Sequence, residues 1–446
     1  MMGTQQVDTS EAVSSPSCHT PRNGFMARPL RISIVGGGLG GLAAAISLRR
    51  QGHEVKVRFC ESEKIISVAK HRVFESTAVF TEIGAAIGLP PNAVRILDPL
   101  GCTNDLVQGV EYAGLVSYGP DGSPGYSVTL NDIARTYGCQ WRLCHRVDAH
   151  EVLKNLAFNT TSDPQAPATL YLDSEVVSCS PSEGKLTMKN GETHVSDLII
   201  GADGIHSKIR ASVLNTTLEA PSSSVAAYRW VVDASKLANH PEMDWVLKQG
   251  PSGPRVIASK DFRVIFTYPC RNNTLINAMG IHMDMRDQSK VGLHVPATRD
   301  ELLGKFNDFD PKFQSFLNLA ENIGLWQFRS LPDLPTWING RVCLLGDAAH
   351  AMLPTIGQGA AMAFEDAATL GVLFCAGTAP GDIPGRLMAY QELRKKRAEY
   401  VKNESLSQFV DPEKRGLYYR TPEMQRVVMG YDAVGVARQY MQERKI

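Results

Sequence analysis

The chain has 446 residues, enough for two or three packed regions around a large core. Its 46 basic and 46 acidic residues cancel, and no basic stripe interleaved with aromatics stands out, which argues against nucleic acid as a partner. The nine cysteines are odd in number and contain no C-x-x-C pair, which argues against a disulfide framework or a structural zinc site and for a reducing compartment.

Residues 1–28 are rich in Ser, Thr and Gln and lack an apolar core, so they predict a disordered tail rather than a secretory signal. No run approaches the ~18 consecutive apolar residues of a bilayer span, so no membrane span and a cytoplasmic protein are expected. Arg31-Ile-Ser-Ile-Val35 predicts a buried strand, and Leu42 to Arg50 an Ala/Leu-rich helix. Between them Gly36, Gly38 and Gly41 form a G-x-G-x-x-G turn. Gly36 permits the tight turn, Gly38 lets a pyrophosphate approach the backbone, and Gly41 lets helix and strand pack closely. The free N–H groups at the helix start suit phosphates. The pattern indicates a dinucleotide without saying which. Such a fold needs an acid at the end of its second strand, ~20 residues past the fingerprint, and counting from Gly41 reaches Glu61.

Strand and helix signals alternate from 31 to about 110, as in an α/β layer. His145-Arg146-Val-Asp148 begins a helix, and the strand Asp197-Leu-Ile-Ile200 runs into Gly201-Ala-Asp203-Gly204 and on to Ser207 and Arg210. From roughly 212 to 325, segments such as Arg255 to Ser259 and Phe262 to Tyr268 predict a mostly antiparallel sheet. Residues 341–345 then form a buried strand leading to Gly346-Asp347, and a long Ala-rich helix starts near 358. The dinucleotide unit is thus expected to be interrupted and completed late. Residues 401–446 are charged and helical, suited to capping or partner contact. No internal repeat is present.

In this order the four motifs resemble the single-component FAD-dependent aromatic hydroxylases, the class A flavoprotein monooxygenases, and within them the salicylate hydroxylase-like fungal branch. The resemblance spans about 29–400. It implies an α/β fold in which a Rossmann-like FAD-binding domain is interrupted by a mostly antiparallel β-sheet substrate domain and followed by a C-terminal helical segment. The units expected are 29–211 and 326–400 for FAD, 212–325 for substrate and 401–446 for the terminal helices.

The resemblance assigns Gly36, Gly38, Gly41, Gly88, Arg146, Asp347 and Ala360 to FAD. Asp347 would hydrogen-bond ribityl hydroxyls, its alternative being a plain helix N-cap. Arg146 would lie by the flavin and pyrophosphate, its alternative being a salt bridge with Asp148 or Glu151. The turn Gly357-Gln358-Gly359-Ala360 opens a helix whose N–H groups can stabilise charge at the reduced flavin's pyrimidine edge. Asp203 and Arg210 match the motif linked to FAD and NAD(P)H; otherwise they are a turn Asp and a surface Arg. His350 and Pro354 lie where the family lines the flavin face, and His350 is given no proton-transfer role.

One segment departs from the family pattern. Val73-Phe74-Glu75-Ser76, followed by Glu82 to Asn92, is how the family continues, and deleting residues 58–72 would join Val57 to Val73 almost seamlessly. These 15 residues are expected to be extra, either a surface insertion or a translated intron. Glu75 is therefore favoured over Glu61 as ribose ligand.

The implied activity is hydroxylation of a phenolic or hydroxybenzoate-type molecule with O2 and NAD(P)H, in some relatives with loss of a carboxylate, and a place in fungal secondary metabolism. No second G-x-G-x-x-G exists for the nicotinamide nucleotide, which suits transient docking of NAD(P)H. Arg229 and Tyr268 are the candidates for stabilising the phenolate. For Arg229 the alternative is a surface pair with Asp233, and for Tyr268 half-buried packing; Arg263 could equally face solvent. A monomer or homodimer is expected. Competing readings are an epoxidase or Baeyer–Villiger-like oxygenase on the same scaffold, and a flavin-poor inactive homologue.

Overall fold

The structure is a computed structural model that describes residues 28–59, 86–130, 132–159, 164–172, 174–286, 294–411, 413–414 and 421–444. The strand Arg31–Val35 lies at the centre of a six-stranded sheet. It pairs in parallel with Glu54–Arg58 on one side and Leu198–Gly201 on the other. Beyond Leu198–Gly201 lies Val342–Leu344, also parallel, with Ile338–Asn339 as an antiparallel edge; Thr169–Tyr171 forms the opposite edge. Every residue of Leu198–Gly201 and of Val342–Leu344 is buried, as strands of a sheet covered on both faces must be.

The helix Leu39–Arg49 is buried over nearly its whole circumference, consistent with its unbroken apolar composition. It packs against the helix Gly359–Leu373. Small residues permit that approach: a Cβ on Gly40 would come within 2.9 Å of the Ala363 Cβ.

The second sheet has eight strands, in the order His294–Pro296, Gly324–Arg329, Ser222–Asp233, Leu275–Met283, Val264–Cys270, Arg255–Ala258, Gly114–Tyr118, Pro124–Thr129. All neighbours are antiparallel except Arg255–Ala258 beside Gly114–Tyr118. Strand periodicity divides its faces. Ala226, Tyr228, Trp230 and Val232 point into a core with Trp245, Phe313 and Phe316, while Val225 and Arg229 face the other way, towards a cleft. Ile265 joins the same core, and Val264, Phe266 and Tyr268 line the cleft.

The structure differs from the expected boundaries. Gly114–Tyr118 and Pro124–Thr129 belong to the large sheet although they precede residue 212, because Val116 pairs with Arg255 far along the chain. The limits at 211, 325 and 400 fall inside the helix Lys208–Leu214, the strand Gly324–Arg329 and the helix Ile383–Val410. Arg28, the last residue of the expected tail, is fixed to Asp197 at 2.7 Å; the rest of that tail lies outside the described residues. No described helix is long and apolar enough to cross a membrane.

Candidate active site

A cleft of about 950 Å³ opens where the parallel strands end, between the six-stranded sheet and the outward face of the eight-stranded one. Ligands bind α/β sheets at the carboxyl ends of their strands. Gly38, Gly41, Gly88 and Arg146 line it, and so do Asp347, Ala360, Arg229 and Tyr268. Gly36 stands behind the cleft and shapes its floor. Its φ is +109°, its N–H donates to the Arg58 carbonyl at 2.9 Å, and a Cβ there would lie 2.2 Å from the Ala202 oxygen. A Cβ on Gly41 would lie 2.1 Å from the Gly36 oxygen. Over Gly38 nothing comes within 4 Å, so an approach to its backbone is open. Glu75 and Glu61 lie outside the described residues, as do residues 60–72 of the expected insertion; Arg58 completes its strand, opposite Val35.

Arg146 is the first residue of the helix Arg146–Phe158. Asp148 pairs instead with Arg271 at 2.7 Å and Glu151 with Lys154 at 3.8 Å, so Arg146 forms no ion pair among the described residues. A cation at a helix N-terminus opposes the helix dipole, and an anion held there relieves both. The same helix is tied to the glycine turn, with His150 Nε2 2.8 Å from the Gly37 oxygen.

Asp347 is exposed at the start of the short helix Asp347–His350, where Gly346 occupies the N-cap position without a side-chain cap bond. Its carboxylate makes no hydrogen bond or ion pair among the described residues and lines the cleft. Gln358, ahead of the helix Gly359–Leu373, also makes no side-chain cap bond; its Oε1 accepts from Asn92 at 3.0 Å. The first N–H groups of that helix, at Gly359 and Ala360, are left beside the cleft.

Asp203 and Arg210 are neither a bare turn Asp nor a surface Arg. Asp203 accepts from Ser207 Oγ (2.6 Å) and the Lys208 N–H (2.7 Å), and burial pushes its carboxyl up. Arg210 is buried and donates to the carbonyls of Ile205 (2.7 Å), Leu218 (3.1 Å) and Ala348 (3.1 Å). Both side chains hold backbone around the cleft.

Arg229 sits among aromatics, its guanidinium carbon 5.4 Å from the Trp326 ring centre and 5.6 Å from that of Phe328. It is partly exposed and lines the cleft, and its Nε is buried without a hydrogen-bond partner among the described residues. No ion pair among the described residues holds it, and Asp233 accepts from the Ser235 N–H instead. Burial, reinforced by the positive Arg146, lowers its pKa from 12.5 to about 10, against a raising influence from Tyr268. The Tyr268 hydroxyl donates to the Ala86 carbonyl at 2.7 Å, so that proton is committed to the strand that carries Gly88. Arg263 is outside the cleft, paired with Asp308 and Asp261.

Beneath the cleft lies a polar network that sequence reading did not assemble. Arg394, wholly buried, donates to Asp366 (2.8 Å) and Glu365 (2.7 Å). Asp366 also accepts from the Gly346 N–H (3.1 Å) and lies 2.7 Å from His350 Nε2. Glu365 accepts from Asn92 (2.8 Å) and pairs with Arg397 (3.2 Å). Burial opposes ionisation of Asp366, but His350 and Arg394 outweigh it and hold the carboxyl below its usual range. The network thus binds the Gly346 turn to the helix Gly359–Leu373. The acids stand in the Ala-rich helix expected from near 358, whereas Arg394 and Asn92 carry no local signal.

The cleft fits FAD. It has an open glycine turn, an arginine at a helix start and a carboxylate at the end of a strand that are both unpaired among the described residues, and a helix without a side-chain cap on the far side. Such a fold and site define a flavoprotein of the dinucleotide-binding class. The chain belongs to the FAD-binding domain family, whose sequence model matches residues 30–405. It is 43% identical over 416 residues to hispidin-3-hydroxylase of Neonothopanus nambi, covering 90% of this chain and 94% of that one. It is 34% identical over 380 residues to the FAD-dependent monooxygenase cfoG of Aspergillus candidus, covering 83% of each. Its fold matches that of a salicylate hydroxylase substrate complex with a TM-score of 0.72 at 24% identity, over 92% of this chain and 97% of the other. The protein is an FAD-dependent flavoprotein monooxygenase.

Proposed function

We propose that this monooxygenase hydroxylates a phenolic or hydroxybenzoate-type small molecule and that Arg229 holds the substrate as its phenolate. The supporting observation is a guanidinium with no hydrogen bond or ion pair among the described residues, its Nε buried and unsatisfied, on a wall that includes Val225, Val264, Phe266, Ile281 and Phe328. In an apolar cleft an unpaired cation favours the ionised phenol, which is the electron-rich form an oxygen-transfer reaction requires. The names of the relatives, hispidin-3-hydroxylase and salicylate hydroxylase, point to the same chemistry.

Bound FAD would take up reducing equivalents from NAD(P)H and activate O2. Arg146, the open turn at Gly38 and Asp347 would hold its pyrophosphate and ribityl chain, with Gly36 and Gly41 setting the turn. The N–H groups at Gly359 and Ala360 would face the pyrimidine edge. The apolar wall excludes water from the reacting centre. Tyr268 acts through Ala86, positioning the strand at Gly88 rather than donating to the substrate. Cys102, Cys139, Cys144, Cys179, Cys270 and Cys343 are free thiols, whereas Cys375 is disulfide-bonded, against the expectation of a chain without disulfides. The test is a screen of phenolic acids with purified holoenzyme, pairing NAD(P)H and O2 consumption with product mass. A product heavier by one oxygen atom with little H2O2 is expected. Peroxide equal to NAD(P)H consumed, for every phenol tried, refutes hydroxylation.

A further inference from the structure

We propose that Gln408 and Phe409 form a distal subsite that selects an elongated, two-ring phenol carrying a hydrogen-bonding group at its far end. The proposal rests on the phenol-hydroxylase reading above and specifies its substrate. Both residues lie near the end of the helix Ile383–Val410, just beyond the span 30–405 of the family match.

The helix is fastened to the segment that follows Asp347. Ser405 Oγ donates to the Leu353 carbonyl at 2.5 Å, Thr355 Oγ1 donates to the Ser405 carbonyl at 2.5 Å, and Lys402 Nζ donates to the Leu331 carbonyl at 3.0 Å. Leu353, Pro354 and Thr355 line the cleft, so residues 408 and 409 are held in fixed relation to the cofactor side.

Gln408 is 6% exposed, lines the cleft, and its buried Nε2 has no hydrogen-bond partner among the described residues. An unsatisfied buried amide is an expensive state that a ligand hydroxyl removes, because the amide offers both donors and an acceptor. Phe409 meets Phe262 edge-on, with centroids 4.8 Å apart at 81°. Phe262 has a φ of +66°, a conformation that bulky residues rarely adopt, so its ring is presented at a backbone cost.

Phe262 and Phe409 belong to one apolar cluster with Phe328, Leu353 and Ile281. The Phe328 ring in turn lies against Arg229. An aromatic corridor therefore runs from the cation to the orphaned amide. A single-ring phenol satisfies only the first end; a planar molecule with a second ring and a distal hydroxyl satisfies both.

The experiment compares 4-hydroxystilbene with 4,4′-dihydroxystilbene, which differ only in the distal hydroxyl, on wild-type holoenzyme and on Gln408→Met. Kd is read from the flavin absorbance change and kcat/KM from product formation. Wild type is expected to favour the dihydroxy compound by about tenfold, and Gln408→Met to reduce that ratio to about one, chiefly through Kd and KM. Phe409→Leu is expected to weaken both stilbenes several-fold without altering their ratio, since it removes ring contact and not the hydrogen bond. Equal Kd values on wild type overturn the subsite without recourse to any variant, and so does an unchanged ratio in Gln408→Met. Oxygenation of 4-hydroxybenzoate with no binding of either stilbene overturns the subsite and leaves the phenol reading intact. Oxygenation of no phenol removes that reading, and the subsite falls with it.

Discussion

Replacing Arg229 by Met keeps an unbranched, polarizable stem beside the Trp326 and Phe328 rings while removing the guanidinium and its charge. Stability and catalysis are then expected to move in opposite directions. Burial lowers the Arg229 pKa from 12.5 to about 10, which corresponds to roughly 3 kcal/mol of unfavourable charge burial as an upper limit. The sign follows from linkage. The folded value lies below the unfolded one, so the penalty is complete at neutral pH and fades as the pH rises through about 10. Substrate-free Arg229→Met should therefore be more stable than wild type near pH 7, and the two melting curves should converge above pH 10. With a phenol present the order reverses. A charge-assisted hydrogen bond contributes about 1.5–3 kcal/mol, so kcat/KM should fall on the order of 10- to 100-fold in the variant. Thermal unfolding across pH and steady-state kinetics on a coupled phenol measure both arms. A less stable variant whose phenol Kd is unchanged would mean that Arg229 is a structural cation and that the phenolate role is misplaced.

Gly36→Ala should give no soluble protein, because its Cβ would meet the Ala202 oxygen at 2.2 Å at a φ of +109°; Gly38→Ala should fold normally yet bind FAD at least about tenfold more weakly, because the methyl enters open cleft. Equal FAD Kd values for Gly38→Ala and wild type, by fluorescence titration, contradict the cradle. Asp347→Ala should weaken FAD binding while shifting the melting of FAD-free protein by only the ~0.3–1 kcal/mol of a helix-dipole contact, since the carboxylate bonds to no described residue. Arg394→Met removes the cation that Glu365 and Asp366 share, leaving each buried with only Arg397 or His350 beside it, and should cost about 3–5 kcal/mol, or roughly 3–5 °C in melting temperature for a chain of this length. Adding Asp366→Asn should restore part of that loss; no restoration would show that packing, and not charge, is at stake.

The parts of the site legible in the sequence are those encoded by neighbours along the chain. The strand before Gly36, the helix start at Arg146 and the strand into Gly346 stand at their expected places, and the first helix begins three residues earlier than expected, at Leu39. Their signal is local backbone geometry. Arg229 and Tyr268 were accessible only through register, and alternation along their strands does turn them to the cleft, but it cannot say that the Tyr268 proton goes to Ala86. Residues whose partners are far away left no trace. Asn92 meets Glu365, Arg394 meets Asp366, and Gln408 reaches the cleft from a helix that sequence reading divided at residue 400. The same reason hid Gly114–Tyr118 from the large sheet, since its parallel neighbour is Arg255–Ala258.

The central sheet also constrains how the protein is made. Leu198–Gly201 presents an apolar edge until Val342–Leu344 emerges to cover it. At roughly 5–20 residues per second, a ribosome leaves that edge bare for on the order of ten seconds. Bare apolar edges recruit other chains. Nascent polypeptides of this protein therefore need shelter by holding chaperones. Any product terminated before Val342 lacks both the covering strand and the second half of the flavin cradle, so it should accumulate as colourless aggregate.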